Sequence, residues 1–179
     1  MTRRPLRERT GVWLLTTGGL GFLKPGPGTW GSIPPVLFAL LLVWIWLPGW
    51  MIDLTLILIG LFFSIACIRF GRLAEQTFGR KDPSEVVADE TAGVVLPLLF
   101  LPWVFPLGTD SLAWNISLAL TAFATFRFFD ITKIPPAHQL QSLRAGWGVL
   151  VDDLVAGVYA LIVTQLLVRA LYPALPFFS

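Results

Sequence analysis

The chain has 179 residues, of which 55% are hydrophobic and only 13% charged, and its mean hydropathy is +0.74. A soluble domain carries about 25% charged residues, so this composition excludes an ordinary soluble fold and points to an integral membrane protein. A net charge of +2 is too small to imply a nucleic-acid partner, and the single cysteine, Cys67, excludes an internal disulfide or a paired-cysteine zinc site.

The first ten residues carry Arg3, Arg4, Arg7 and Arg9, and an apolar run from Gly11 to Leu23 follows. Basic residues before a short apolar run resemble a signal peptide, but no small-x-small cleavage site comes next. The run is too short to span and contains Gly18, Gly19 and Gly21. It reads as an interfacial or re-entrant helix retained in the mature protein. The Gly/Pro stretch Pro25–Ser32 then reads as a loop before a helix. The first span is expected from Pro34 to Leu47, with Trp44, Trp46 and Trp50 as an interface belt. Further spans are expected over Ile52–Phe70, Val86–Phe105, Leu112–Phe129 and Gly148–Leu171, the second of these four interrupted by Pro97 and Pro102. The fold class is therefore all-α: a polytopic transmembrane bundle of about five spans plus a short N-terminal helix, forming one membrane domain over residues 1–179.

Five spans put the N-terminus, the 69–85 loop and the 127–147 loop on one side. That side holds every Lys and Arg except Arg169. Basic residues in short loops stay cytoplasmic, so the N-terminus is expected inside and the C-terminus outside.

The acidic residues collect on that same side. Asp82, Glu85, Asp89 and Glu90 precede or open one apolar segment, Asp130 ends another, and Asp152-Asp153 begins the last. Carboxylates near a bilayer need a partner, usually a cation. Asp82-Pro83-Ser84-Glu85 also fits a plain helix start, with Asp82 as the N-cap, Pro83 at N1 and Glu85 reaching back. On that helix Glu85 and Asp89 share a face, and their like charges repel unless a cation lies between them. Asp130 is disfavoured by the dipole at a helix C-terminus, so it needs either a function or an ion pair with Arg127 or Lys133. Capping explains one of Asp152 and Asp153, not both. The loop containing Gly28, Thr29 and Ser32, beside Lys24, suits an anion, as a helix N-terminus does. His138 and Cys67 carry no role. The residues alone thus support magnesium, a hard cation suited to all-oxygen ligands, bridging carboxylates to a phosphorylated lipid. A carboxylate-based cation or proton transporter and a lipid phosphotransferase are the alternatives.

Four stretches carry a family resemblance: Pro27-Gly28-Thr29-Trp30-Gly31-Ser32; Asp82-Pro83 with Val86-Val87-Ala88-Asp89-Glu90 and Gly93; Phe126-Arg127-Phe128-Phe129-Asp130 with Lys133; and Gly148 followed by Asp152-Asp153 with Ala156-Gly157. In this order they resemble the phosphatidylglycerophosphatase A family. Two departures stand out: Ile134 follows Lys133 where the family usually has proline, and Arg144-Ala145-Gly146-Trp147-Gly148 replaces paired glycines. The resemblance implies a magnesium-dependent phosphatase of the inner membrane, acting on phosphatidylglycerophosphate, with membrane lipids around it and no obligate protein partner. By that analogy Asp89, Glu90, Asp130, Asp152 and Asp153 are catalytic. Glu85, Asp89, Glu90, Asp130 and Asp153 are the metal ligands, and Lys24, Gly28, Thr29, Ser32 and Lys133 bind the substrate. Water and an aspartate are both available as the nucleophile.

The charge distribution yields a topology test. Cysteines introduced at positions 80 and 142, in a chain lacking Cys67, are expected to resist an impermeant thiol reagent applied to intact cells. Labelling from outside at either position overturns the orientation.

Overall fold

The computed structural model describes residues 6–105, 108–135 and 146–171, the side chains of Leu6, Arg7, Thr109 and Leu171 excepted. His138 and Arg144 lie outside the described residues, as do Arg3 and Arg4. Helix α1 covers Leu6–Leu15 and is followed by a single 3-10 turn, Leu20–Phe22. Then come α2 (Pro27–Trp44), α3 (Gly49–Phe78), α4 (Ala88–Gly93), α5 (Val95–Leu98), α6 (Thr109–Thr132) and α7 (Gly146–Leu166), which ends in a wider turn over Leu167–Leu171. There is no strand among the described residues. Four helices are long and apolar enough to cross a membrane: α2, α3, α6 and α7.

The expected span over Val86–Phe105 is not one helix. It breaks into α4, α5 and an extended tail. Pro97 has no N–H to give the Gly93 carbonyl, so the helical ladder breaks between α4 and α5, and Pro102 blocks its continuation past Leu98. Leu101 precedes Pro102, which favours extended backbone there. In hydrocarbon such a segment survives only if protein surrounds it and satisfies its backbone. Burial holds as far as Leu99, beyond which Phe100, Pro102 and Val104 are exposed, and side chains from other helices meet part of the backbone. Every residue from Val86 to Leu99 is buried except Glu90 and Leu96, which are half-buried. Asp53 Oδ1 accepts from Phe100 N at 3.0 Å, Gln165 Nε2 donates to Leu99 O at 2.8 Å, and Arg169 Nη2 donates to Phe100 O at 3.0 Å. Asn115, fully buried, holds both Val104 N and Val104 O at 3.0 Å. The chain thus runs through the bundle, from the carboxylates in α4 to the opposite end, where α3 and α6 begin and α7 finishes.

Helix α2 starts seven residues earlier than the expected span, because Gly26 caps it and Pro27 occupies its first turn, where a missing N–H costs nothing. Most of the expected Gly/Pro loop is therefore helical. Pro34 and Pro35 lie inside α2. Pro35 has no N–H to offer the carbonyl four residues back, and Gly31 O instead accepts the Thr91 hydroxyl of α4 at 2.8 Å. A proline that weakens one helix in this way ties it to the next.

The N-terminal segment closes the carboxylate end. Helix α1 packs on α3 and α4, and Leu15 O accepts from Val87 N at 2.9 Å. Trp13 and Phe22 stay exposed, as do Trp44, Trp46 and Trp50 around the α2–α3 turn. The main core joins Ala39 and Val43 of α2, Ile52 and Leu56 of α3, Leu118 and Phe126 of α6, and Ala160 of α7 around Val94 and Leu98. A second cluster unites Leu15, Cys67, Ala88 and Leu150 nearer the carboxylates.

Asn115→Ala is expected to lower stability by about 1–3 kcal/mol, because it strands the Val104 N–H and C=O. Thermal unfolding in detergent reads this. Specific activity of the folded fraction should change little, since Asn115 lies at the end remote from the carboxylates.

Candidate active site

The site is built on a close helix contact. A Cβ at Gly157 would lie 2.5 Å from Gly93 O, and a Cβ at Gly93 would lie 2.7 Å from both Asp153 O and the Phe126 ring. Only glycine lets α4 and α7 approach so nearly. Asp89 and Glu90 sit one turn before Gly93, and Asp153 one turn before Gly157, so the same contact gathers the three carboxylates. One oxygen from each lies within 4.8 Å of the other two. Asp89 is 3% exposed and Asp153 4%. Glu90 is half-buried, yet its Oε2 is shielded from solvent. Asp89 Oδ1, Glu90 Oε2 and Asp153 Oδ2 find no hydrogen-bond partner among the described residues. Buried carboxylates this close require a shared proton or a cation between them. An all-oxygen donor set with orphaned buried oxygens fits a hard divalent cation.

Two cations border this triad. Arg127 Nη1 pairs with Asp130 Oδ2 at 2.6 Å, one turn apart on α6. Lys133 adopts a left-handed conformation, φ 47°, which ends α6 and turns its ammonium onto Asp152 Oδ2 at 2.7 Å. Burial works against the charged lysine, but the hydrogen bond and charge of Asp152 outweigh it and raise the Lys133 pKa. Asp130 lies within hydrogen-bond reach of Asp153. All five carboxylates from Asp89 to Asp153 therefore form one cluster, with the triad at its centre and Asp130 and Asp152 ion-paired at its edge.

Other expected residues stand elsewhere. The helix does not begin at Asp82: that residue has φ 52°, and the chain stays irregular until Val87 caps α4. Glu85 thus shares no helical face with Asp89. It pairs with Arg80 at 2.6 Å on the surface, outside the triad. Burial raises its carboxyl pKa, but the hydrogen bond and charge of Arg80, a backbone hydrogen bond and the charge of Lys24 together outweigh that and lower it. Ser32 is fully buried and donates to Gly28 O at 2.8 Å, so its hydroxyl is committed inside α2. Thr29 is half-buried in the first turn of α2, and Lys24 is exposed on the loop before it. Gly28 does face the cluster: a Cβ there would overlap Glu90 Oε1 and lie 3.0 Å from Arg127 Nη1. Two residues escaped the sequence reading of the site. Thr91 links α4 to α2, and Arg127 reaches into the acidic cluster. The signal for Arg127 is its position, as a lone cation well inside an apolar helix.

Known proteins match this pattern. The family model for phosphatidylglycerophosphatase A matches residues 13–168. The chain is 35% identical over 158 residues to phosphatidylglycerophosphatase A of Haemophilus influenzae, with 85% of each chain covered. It is 35% identical over 150 residues to a Bacteroides thetaiotaomicron protein provisionally named a phosphatidylinositol-3-phosphatase, covering 83% of this chain and 88% of that one. Phosphatidylglycerophosphatase A of Escherichia coli is 29% identical over 150 residues, covering 81% of this chain and 76% of the relative. No solved structure matches. The family match runs from α1 through the wider turn that ends α7 and takes in every carboxylate of the cluster, so the chain belongs to the phosphatidylglycerophosphatase A family.

Proposed function

We propose that this protein removes the terminal phosphate of phosphatidylglycerophosphate, releasing phosphatidylglycerol and inorganic phosphate. The observation that carries this reading is the triad Asp89, Glu90 and Asp153, with unpartnered buried oxygens at one end of a helical bundle, in a chain of this family. The hydrolysis breaks the phosphorus–oxygen bond to the glycerol headgroup and forms one to the oxygen of water. Asp89, Glu90 and Asp153 would hold magnesium, which when bound would polarise a phosphate oxygen and lower the pKa of water. Asp130, within hydrogen-bond reach of Asp153, takes the proton from the attacking water, and the departing glycerol oxygen takes up a proton to leave as the headgroup hydroxyl. Lys133 balances Asp152 and offers charge to the phosphate, while Lys24, Gly28 and Thr29 line the approach from the start of α2. Burial of the cluster excludes bulk water and strengthens each of these interactions. The one-sided basic residues support an inner-membrane protein whose site faces the cytoplasm. The inositol-lipid relative favours a second substrate, a 3-phosphorylated phosphatidylinositol. Phosphate release measured on both lipids in detergent decides between them, and release from neither rejects the phosphatase reading.

Activity is expected to vanish in a chelator and return with added magnesium. Full activity in chelator, with no metal found by elemental analysis, rules out the metal site.

Asp89→Asn preserves shape but removes a ligand charge. Turnover per folded molecule is expected to fall about a hundredfold or more, with folding retained. Asp82→Asn is the control: asparagine tolerates the left-handed backbone at that exposed position, so activity should stay near normal. Near-normal turnover in folded Asp89→Asn would sink the assignment.

A further inference from the structure

We infer that Arg127 is the residue that grips the substrate phosphate, a role that rests on the phosphatase reading above. The cluster contains five carboxylates, Asp89, Glu90, Asp130, Asp152 and Asp153, and a phosphate monoester entering it brings about two more negative charges. Positive donors must meet it. Lys133 is already engaged by Asp152 at 2.7 Å. Arg127 has more to give. A guanidinium carries five N–H donors in a planar fork; Nη1 lies 2.6 Å from Asp130 Oδ2 as an ion pair, yet makes no well-aligned hydrogen bond among the described residues. Its Nε is shielded from solvent and donates to nothing among the described residues. The side chain is only 16% exposed, although α6 also has an exposed face, with Leu120 and Phe128 on it. A cation drawn inward with donors unspent suits a ligand that supplies acceptors.

Two neighbours shape that role. Asp130 anchors one edge of the fork, which fixes its plane without using the rest, so it positions Arg127 in addition to its role toward the attacking water. Gly28 leaves room: a Cβ there would lie 3.0 Å from Arg127 Nη1 and overlap Glu90 Oε1. The bare backbone of Gly28 thus lets Glu90 and the guanidinium close in on the start of α2, where a phosphate meets both. A phosphate bound there touches the metal-binding carboxylate side and the fork together. Arginine suits this better than lysine, because the planar fork matches two phosphate oxygens at once.

The simpler role is that Arg127 only neutralises the acidic cluster. The two roles separate when inorganic phosphate is titrated calorimetrically into the purified full chain in detergent, with magnesium saturating. Arg127→Gln is expected to weaken phosphate binding tenfold or more, the range for charge-assisted hydrogen bonds. Arg127→Lys keeps the charge but loses the fork, and should weaken binding severalfold. Magnesium affinity, titrated without phosphate, should stay within about threefold of wild type in both variants. Arg80→Gln, a surface control, should bind phosphate as wild type does. Unchanged phosphate affinity in Arg127→Lys overturns the fork, and decides the matter alone where Arg127→Gln does not fold. A parallel fall in magnesium affinity assigns Arg127 to charge balance and also overturns it. Wild-type protein that binds no phosphate yet releases it from lipid overturns the inference while the phosphatase reading stands. Phosphate binding that depends on Arg127, without lipid hydrolysis, supports the inference and removes the proposed reaction.

Discussion

The close approach of α4 to α7 governs the molecule. With Gly93 O only 2.5 Å from where a Gly157 Cβ would be, the helices touch backbone to backbone. In lipid no hydrophobic effect drives helices together, so small residues and van der Waals contact set their spacing. That spacing brings Asp89 and Glu90 across from Asp153. The repulsion among these carboxylates opposes the same contact. Packing below the charges and cations among them must therefore offset that repulsion, and the core around Phe126, Ala156 and Val94 supplies the packing.

The two ends of the bundle use polar groups differently. At the carboxylate end, oxygens are left without partners. At the other end, Asp53, Asn115, Gln165 and Arg169 are all spent on the backbone of residues 99–104. Buried polar groups cost free energy when unpaired, so the contrast has meaning. Asp53 is a carboxylate like Asp89, yet its Oδ1 accepts from Phe100 N, whereas Asp89 Oδ1 has no partner among the described residues.

Much of this was legible in the sequence, and the reasons differ by residue. Apolar length revealed α2, α3, α6 and α7, because hydrocarbon thickness imposes it. The clustering of Asp89, Glu90, Asp130, Asp152 and Asp153 was legible because charge is rare in this chain and its placement at segment ends is informative. The start of α4 was not. Asp82-Pro83-Ser84-Glu85 satisfies the local rules for a cap, but the Leu15 O to Val87 N bond and the burial of Val86 and Val87 hold that stretch irregular instead. Tertiary contacts overrode a local signal, and Glu85 left the site as a result. Ser32 failed for a related reason: helix extension back to Pro27 turned a loop hydroxyl into one bonded to its own helix. Arg127 was hidden by its pair with Asp130, which reads from sequence as an ordinary one-turn ion pair. The Asn115 clamp had no signal, since nothing local tells which distant backbone an asparagine will meet.

The broken segment has a consequence for how the protein is made. Between Val94 and Val104 the chain forms few hydrogen bonds of its own, and its partners lie on α3, α6 and α7. Helices such as α3 can be stable in the bilayer individually, since their backbones are self-satisfied. The stretch after α4 cannot settle until Gln165 of α7 and Arg169 of the wider turn after it have been synthesised. Membrane integration of this chain is thus a sequential process in which an early segment waits for a late one. A nascent chain that has not yet delivered α7 has its lipid-facing helices in place but neither the closed interior nor the third carboxylate. Completion of the fold and completion of the acidic triad are the same event.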